Sequence, residues 1–295
     1  MNLLSLKDLS SKEILSIISL AQTIKKSPKK YSNKLKNKTL LMLFAKPSLR
    51  TRLSFEMAMQ QLGGNAIFFD ISTSSIGKKE SIKDASKVMS RYVSAIMARL
   101  YEQKNLEELA KHSSVPVING LTNSFHPCQI LGDLLTIKEK FKSFKDTKIT
   151  FVGDANNNVT HSLIIACNKL GIKLTVSSPN KKQFLPNKKI INNFKYKYEK
   201  SPKKAVKNAT IIYTDSWMSY HIPKSEKEER KKILKPYKVN QKMLSYSKKA
   251  LFMHCLPAKR GLEVTSKVLD SKRSIIYDQA ENRMHIQKAI LLKLL

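Results

Sequence analysis

The sequence predicts an α/β protein built from two doubly wound, parallel-sheet domains joined by helices. Three observations lead there. The chain has 295 residues, and roughly 150 residues per domain gives two domains. Short, continuous apolar runs of strand length alternate with helix-period segments, which is the pattern of buried parallel strands with helical crossovers. The alternation breaks at the polar stretch from Lys142 to Lys148 and then restarts.

The elements follow in order. Ser10-x-x-Glu13 is a capping-box signal, and Ile14, Ile17, Ile18 and Ala21 continue it at helical spacing. Thr39 to Phe44 is an unbroken apolar run suited to a buried strand. After a turn at Lys46-Pro47-Ser48, Leu53 to Leu62 reads as a helix stopped by Gly63-Gly64. Asn65 to Phe69 is the next strand, followed by strands at Ala95–Ala98 and Val115–Ile118 and a helix from Pro127 to Lys140. In the second half, strands are expected at Ile149–Val152, Lys173–Val176, Thr210–Tyr213, Leu251–His254 and Ile275–Tyr277. The charged segment from Tyr220 to Lys238, with two prolines, reads as a mobile surface loop plus a short helix. A last helix runs from Ala280 to Leu295. The expected domains are 1–140 and 141–279, with 280–295 packing back on the first.

Composition narrows the class. Hydrophobic residues make up 41% and charged residues 26%, as in ordinary globular proteins. No apolar run reaches the ~18 residues of a membrane span. The opening Met1 to Lys7 lacks the features of a signal peptide. Cys128, Cys167 and Cys255 form no C-x-x-C pair, which fits a reduced, cytoplasmic protein. The six histidines lack metal-ligand spacing, so no structural zinc is expected. The formal net charge is +33, and 47 of the 55 basic residues are Lys. Such a chain can neutralise nucleic-acid phosphates without sequence preference. Scattered, solvated charge is the competing reading, and the spread of Lys along the whole chain favours it. No specific nucleic-acid partner and no membrane partner are therefore expected, although a positive field still draws in small anions.

Several segments can carry chemistry. Ser48-Leu49-Arg50-Thr51-Arg52 lies between a buried strand and a helix start. Backbone N–H groups, hydroxyls and guanidiniums there converge on an anion, or Ser48 is an ordinary helix cap. The glycines of a P-loop are missing. His126-Pro127-Cys128-Gln129 precedes a helix, with proline suited to its first turn. His126 and Gln129 place donors where α/β domains bind ligands, as does Arg99 at another strand end; each can equally be structural. Gly153 to Asn158 follows a strand without G-x-G-x-x-G, and its Asn side chains can bind an amino acid's carboxylate or amine. Asp215-Ser216-Trp217-Met218-Ser219 and His254-Cys255-Leu256-Pro257 each follow a strand. The bland readings are a turn with a core Trp and a small buried Cys. Arg283 near the start of the expected last helix opposes the helix dipole, which favours an anion-binding role.

Taken together and in this order, these segments resemble the aspartate/ornithine carbamoyltransferase family. The likeness runs from Leu4-Ser5-Leu6-x-Asp8-Leu9-Ser10 to Ala280-Glu281-Asn282-Arg283. Ser48 to Arg52 matches S-[TL]-R-T-R, and His126 to Gln129 matches H-P-x-Q. Asp215 to Ser219 (D-x-W-x-S) and His254 to Pro257 (H-C-L-P) are similar to the ornithine branch, since aspartate enzymes lack that cysteine.

The resemblance implies transfer of the carbamoyl group of carbamoyl phosphate to the side-chain amine of L-ornithine, giving citrulline and phosphate without metal or cofactor. It implies a homotrimer with sites shared between subunits, each in the cleft between two domains, serving arginine biosynthesis. By the same resemblance Ser48, Leu49 (through its backbone), Arg50 and Thr51 hold phosphate, and Ser75 belongs to a loop donated by a neighbouring subunit. Arg99, His126, Pro127, Cys128 and Gln129 surround the carbamoyl portion, with Arg283, Cys255 and Leu256 beside it. Asn158, Asp215, Ser219 and Tyr220 correspond to ornithine-binding positions. Arg99, His126, Asp215 and Cys255 are the implied catalytic set.

The chain departs from its relatives at three places. Leu49 stands where many have Thr, Ser75 where Gln is common, and Tyr220-His221 where Met-Gly is common. The last leaves open a different amine, such as N-acyl-ornithine or putrescine. A Lys-rich nucleic-acid binder on the same fold is the rival of another class, disfavoured by the intact Arg50, Arg99, His126, Cys255 and Arg283.

Overall fold

A computed structural model describes residues 1–74, 76–77, 79–218 and 223–295. The chain divides into two units: Met1–Leu135 with Glu281–Leu295, and Thr136–Ala280.

The first unit opens with α1 (Ser11–Lys26), whose capping box is complete: Ser10 Oγ accepts from Glu13 N, and Glu13 Oε2 accepts from Ser10 N at 2.7 Å. Next come β1 (Thr39–Phe44), α2 (Leu49–Gln61), β2 (Asn65–Asp70), α3 (Ile82–Tyr92), β3 (Ala95–Arg99), α4 (Gln103–His112), β4 (Val117–Leu121) and α5 (Pro127–Phe141). The sheet is parallel, in the order β2-β1-β3-β4. Leu41 and Leu43 of β1 join Ile96, Ala98 and Val117 in a cluster with Leu106 and Leu109 of α4. Leu40, Met42 and Phe44 alternate to the other face and are buried too. That double burial is why β1 is apolar at nearly every position.

The second unit carries β5 (Lys148–Val152), α6 (Asn158–Leu170), β6 (Lys173–Ser177), α7 (Lys188–Ile191), β7 (Lys197–Tyr198), α8 (Pro202–Val206) and β8 (Ile211–Thr214). It continues through α9 (Lys227–Leu234), α10 (Gln241–Ser245), β9 (Leu251–His254) and α11 (Ser266–Leu269) to the start of α12 (Ile276–Leu294). Its parallel sheet has the order β7-β6-β5-β8-β9. Trp217, Phe184, Ile212, Phe252 and Val264 lie in its core.

Both strand orders reverse direction once, between β1 and β3 and between β5 and β8. Crevices at the carboxyl ends of strands flanking such a reversal are where open α/β sheets bind ligands. Ser48 and Arg99 follow or end the first pair; Asp154 and Asp215 follow the second.

Four expectations need correction. Ile275–Tyr277 is not a strand: Ser274 makes a single bridge to Phe252, and Ile276 begins α12. A three-residue apolar run cannot by itself distinguish a strand from a buried helix start. The fifth strand is instead the two-residue edge β7. Because α12 starts at Ile276, Arg283 lies in its third turn, beyond the reach of the helix-end field, and the dipole argument for Arg283 does not hold. Finally, α2 begins at Leu49 rather than Leu53, and β4 begins at Val117, after Pro116.

Candidate active site

In the first unit, β1 ends at Phe44 and the chain turns into α2 at Ser48. Ser48 is the N-cap: its Oγ accepts from Thr51 N at 3.3 Å. The N-terminal N–H groups of α2 are thereby aimed at the strand ends, the arrangement that attracts an anion. Thr51 is fully buried. Its Oγ1 receives Arg283 Nη2 at 2.9 Å, Ser48 Oγ at 3.1 Å and Arg99 Nη1 at 3.5 Å. A hydroxyl has two lone pairs, so three donors, two of them cationic, exceed what this oxygen can accept. That surplus of donor capacity suits a multiply charged oxyanion.

Leu49 is exposed and Arg50 half-buried, both in the first turn of α2. Arg52 turns away: it pairs with Glu56 at 2.8 Å and its guanidinium lies 4.0 Å from the centre of the Phe68 ring.

His126 is buried just before α5, whose first residue is Pro127. Burial holds the His126 imidazole well below its ordinary pKa, and the Arg283 and Arg99 guanidiniums push the same way. The ring is therefore neutral at physiological pH. Gln129, one turn on, donates from Nε2 to Asp133 Oδ1 at 2.8 Å. That bond fixes the amide orientation and leaves Oε1 as a buried acceptor with no protein partner. Cys128 points elsewhere, its Sγ donating to Asn119 O at 3.4 Å, and burial pushes its thiol up to about 12. The Cys128 thiol thus packs inside this segment. Gly132 faces the backbone of Arg283, with any added Cβ 3.3–3.4 Å from Arg283 atoms, so a close helix approach seats this arginine.

In the second unit, Asn157 caps α6 by accepting from Thr160 N at 2.8 Å, which starts the helix at the half-buried Asn158. Asp215 follows β8 and Cys255 follows β9; Cys255 Sγ donates to Asp215 Oδ1 at 2.9 Å. The same Asp215 oxygen accepts from Ser216 N at 2.7 Å. Beyond Cys255, Leu256 has φ 58°, rare for a branched residue, and its N–H donates to His254 Nδ1 at 2.9 Å. Asp215, His254 and Cys255 bring three ligand-type atoms within 4.8 Å of one another. His254 is already engaged at Nδ1, while its Nε2 faces the buried Glu263 at 3.5 Å. Asp215 and Cys255, already bonded to each other, are two groups, fewer than the three or four protein ligands usual for zinc.

Two features of these strand ends carry no motif. Lys46, buried beside the Ser48 turn, donates to Asn123 Oδ1 at 2.6 Å. Asp154 and Arg230 form a buried ion pair, with the guanidinium 4.7 Å from the Phe184 ring centre. Of the residues expected from sequence, Ser75, Ser219 and Tyr220 lie outside the described residues.

The family model described as "Aspartate/ornithine carbamoyltransferase, carbamoyl-P binding domain" matches residues 1–139, and "Aspartate/ornithine carbamoyltransferase, Asp/Orn binding domain" matches residues 145–294. The chain belongs to the aspartate/ornithine carbamoyltransferase family. An ornithine carbamoyltransferase of Archaeoglobus fulgidus is 47% identical, covering 100% of this chain and 97% of that relative. An "Ornithine carbamoyltransferase, anabolic" of Pyrococcus furiosus is 46% identical over 98% of this chain and 95% of its own length. Among solved structures, ornithine carbamoyltransferase from Pyrococcus furiosus superposes with a TM-score of 0.92 at 45% identity, covering 98% and 95% of the two chains. Ornithine transcarbamoylase from Giardia lamblia gives 0.91 at 39% identity, covering 99% and 97%. Ser48, Thr51 and Arg99 fall within the residues matched by the carbamoyl-P binding domain, and Arg283 and the Cys255–Asp215 pair within those matched by the Asp/Orn binding domain.

Proposed function

We propose that the protein is an ornithine carbamoyltransferase, converting carbamoyl phosphate and L-ornithine to L-citrulline and phosphate in the cytoplasm, in arginine biosynthesis. The observation that carries this is the donor surplus at Thr51: Arg283, Arg99 and Ser48 converge there on the N-terminus of α2. The naming of the Pyrococcus furiosus relative as anabolic supports the biosynthetic direction.

In this reading Ser48, the Leu49 N–H, Arg50 and Thr51 take the phosphate. Arg99 and neutral His126 donate to the carbonyl oxygen, and Gln129 Oε1 accepts from the carbamoyl NH2. The side-chain amine of ornithine must arrive uncharged, because an ammonium has no lone pair, and its ordinary pKa is near that of Lys, ~10.4. Asp215, with Cys255 bound to it, is the acceptor for the cationic amine and for its proton. Asn158, Ser219 and Tyr220 complete the amino-acid contacts. Nitrogen attacks the carbonyl carbon, and negative charge gathers on oxygen, where Arg99 and His126 stabilise it. The C–N bond then stays, the C–O bond to phosphate breaks, and the remaining extra proton of the attacking nitrogen passes to the departing phosphate. Holding two small reactants together supplies much of the acceleration.

The assembly proposed is a homotrimer in which Ser75 reaches a neighbour's site. Ile67, Phe68 and Phe69 on edge strand β2 and Leu49, Leu53 and Met57 on α2 are exposed apolar groups, a surface that self-association would cover. Initial rates with carbamoyl phosphate and a panel of ornithine, N-acetylornithine and putrescine test the proposal. Ornithine should be preferred, and Tyr220→Met should change that preference by less than about tenfold, ~1.4 kcal/mol. A parent enzyme that prefers the acylated amine or the diamine would overturn the substrate assignment alone.

A further inference from the structure

Two opposite charges are buried together at the end of β5. Asp154 and Arg230 are each only 4% exposed, and the cost of taking such charges out of water is offset only where they are paired and hydrogen-bonded. Asp154 uses both carboxylate oxygens: Oδ1 accepts from Asn156 N at 3.1 Å, and Oδ2 accepts from Arg230 Nη2. Arg230 is less fully engaged. Its guanidinium lies 4.7 Å from the Phe184 ring centre, and its Nε is buried without a hydrogen-bond partner among the described residues. It keeps unused donor capacity along with its charge.

The pair stands among the groups read above as the amino-acid half of the site, all within the second unit. Asp154 follows β5, Asp215 follows β8, and the two strands are neighbours in the sheet. Burial pushes the Asp154 carboxyl up, Arg230 pulls it down, and Asp215 pushes it up again, so the two carboxylates feel one another across the strand ends. Asp154 O also accepts from Asn157 Nδ2 at 2.7 Å, and Asn157 caps α6 just ahead of Asn158. Asp215 Oδ1 in turn accepts from the Cys255 thiol at 2.9 Å. Were Asp154 neutral, Arg230 would be a buried cation without its counter-ion, and Asp215 is the other carboxylate that Asp154 senses. The guanidinium would then compete with a substrate ammonium for Asp215.

Resting on the functional reading above for what Asp215 receives, we propose that Asp154 is a positioning residue: its carboxylate confines Arg230 and so keeps the Asp215–Cys255 pair open to the cationic end of the amine substrate. The charges give each effect a definite sign. At pH 8 Asp154, whose carboxyl is pushed up to about 7, is largely ionised and neutralises Arg230. Asp154→Asn removes the anion and leaves the cation, which favours the Cys255 thiolate and weakens the hold of Asp215 on an ammonium. Asp154→Asn/Arg230→Met removes both charges, leaves their local sum unchanged and undoes both effects.

The test reads Cys255 alkylation by iodoacetamide at pH 8 and, separately, the KM values for L-ornithine and carbamoyl phosphate, in the parent, Asp154→Asn and the double variant. Cys255 is the half-buried thiol; Cys128 and Cys167 are buried, and burial raises both of their pKa values. Peptide mass spectrometry assigns the modified residue. In Asp154→Asn, alkylation should quicken at least about threefold. The ornithine KM should rise at least about tenfold, with the carbamoyl-phosphate KM held within about twofold. The double variant should return to within about twofold of the parent in all three quantities. Alkylation in Asp154→Asn at the parent's rate, two KM values that rise together, or a double variant that stays outside that range overturns the proposal.

If Asp154→Asn does not fold, the parent and the double variant are compared from pH 6 to 9. Protonation of Asp154 in the parent has the same consequence as the substitution, so below pH 7 its alkylation rate should fall less steeply than that of the double variant. Titration of Asp215, His254 and Cys255 itself is common to both and cancels. Parallel profiles overturn the proposal. The alkylation readout does not depend on transfer. Alkylation that follows the Asp154 charge in a protein inactive on ornithine overturns only the functional reading, and ornithine transfer with alkylation indifferent to Asp154 overturns only this inference.

Discussion

At the scale of single residues, the site is a problem in placing positive charge where an oxyanion will sit. Arg50 lies in the first turn of α2 beside the Ser48 cap, and charge-assisted hydrogen bonds to an anion are worth about 1.5–3 kcal/mol. Arg50→Ala should therefore raise the carbamoyl-phosphate KM or lower kcat/KM by roughly ten- to a hundredfold. Lys26→Ala, at the end of α1, should leave both unchanged. Equal kinetics in the two variants would remove Arg50 from the site. His126 gives a second expectation, with a definite sign. Its pKa is lowered by burial and by two arginines, so the ring stays neutral through pH 6.5 and charges only at more acidic pH. The rate at limiting carbamoyl phosphate should then show no acid limb centred near 6.5, the ordinary imidazole value; such a limb would contradict the neutral-donor role. The motif residues were legible in sequence because their chemistry repeats at strand ends. Lys46 was not: it is one of 47 lysines, and nothing in the local pattern marks it as buried.

At the scale of elements, strands buried on both faces were the easiest to read. Thr39–Phe44 and Leu251–His254 match their expected bounds because a continuous apolar run has few other uses. The failures have the same physical root. Ile275 and Ile276 are buried as the chain enters a helix, so hydrophobicity alone misled, and β7 is too short and too polar to signal itself. The tie between α9 and the end of β5 was equally hidden, since Asp154 and Arg230 are 76 residues apart. Burial pushes the Asp154 carboxyl up, to about 7, while Arg230 pulls it down. Removing Arg230 leaves a buried carboxylate without its counter-charge, which typically costs about 3–5 kcal/mol. In Arg230→Met the Asp154 pKa rises further above its unfolded value, so the carboxyl folds best protonated. The stability deficit against the parent should thus be small at pH 5 and grow as pH rises to 8. Urea unfolding of both proteins across that range measures it; a deficit that does not vary with pH would mean that the charge plays no part.

At the scale of the whole molecule, the question is what a net charge of +33 does. Its bulk is carried by Lys side chains spread over both units, and several are spent locally: Lys25 pairs with Glu281 at 3.2 Å, Lys138 lies over Phe144, and Lys140 pairs with Asp278 at 2.5 Å. The anion site proposed above would use a different set, the buried Arg99 and Arg283 around Thr51. The two populations respond differently to salt. Exposed charges are screened over a Debye length of about 8 Å at physiological ionic strength, whereas buried contacts at 3 Å are screened much less. Binding of DNA or RNA through the surface lysines should be weak and without sequence preference, and log K should fall steeply and linearly with log salt. Carbamoyl transfer should persist across the same salt series, losing only the part of its rate that long-range steering of the anion contributes. A filter-binding titration and an initial-rate assay in matched buffers, from about 50 to 200 mM salt, compare the two directly. Nucleic-acid binding that stays tight and sequence-selective at the upper end would give the lysines a role of their own. Transfer that falls as steeply as nonspecific binding does would mean that substrate is held by surface charge rather than by the buried arginines.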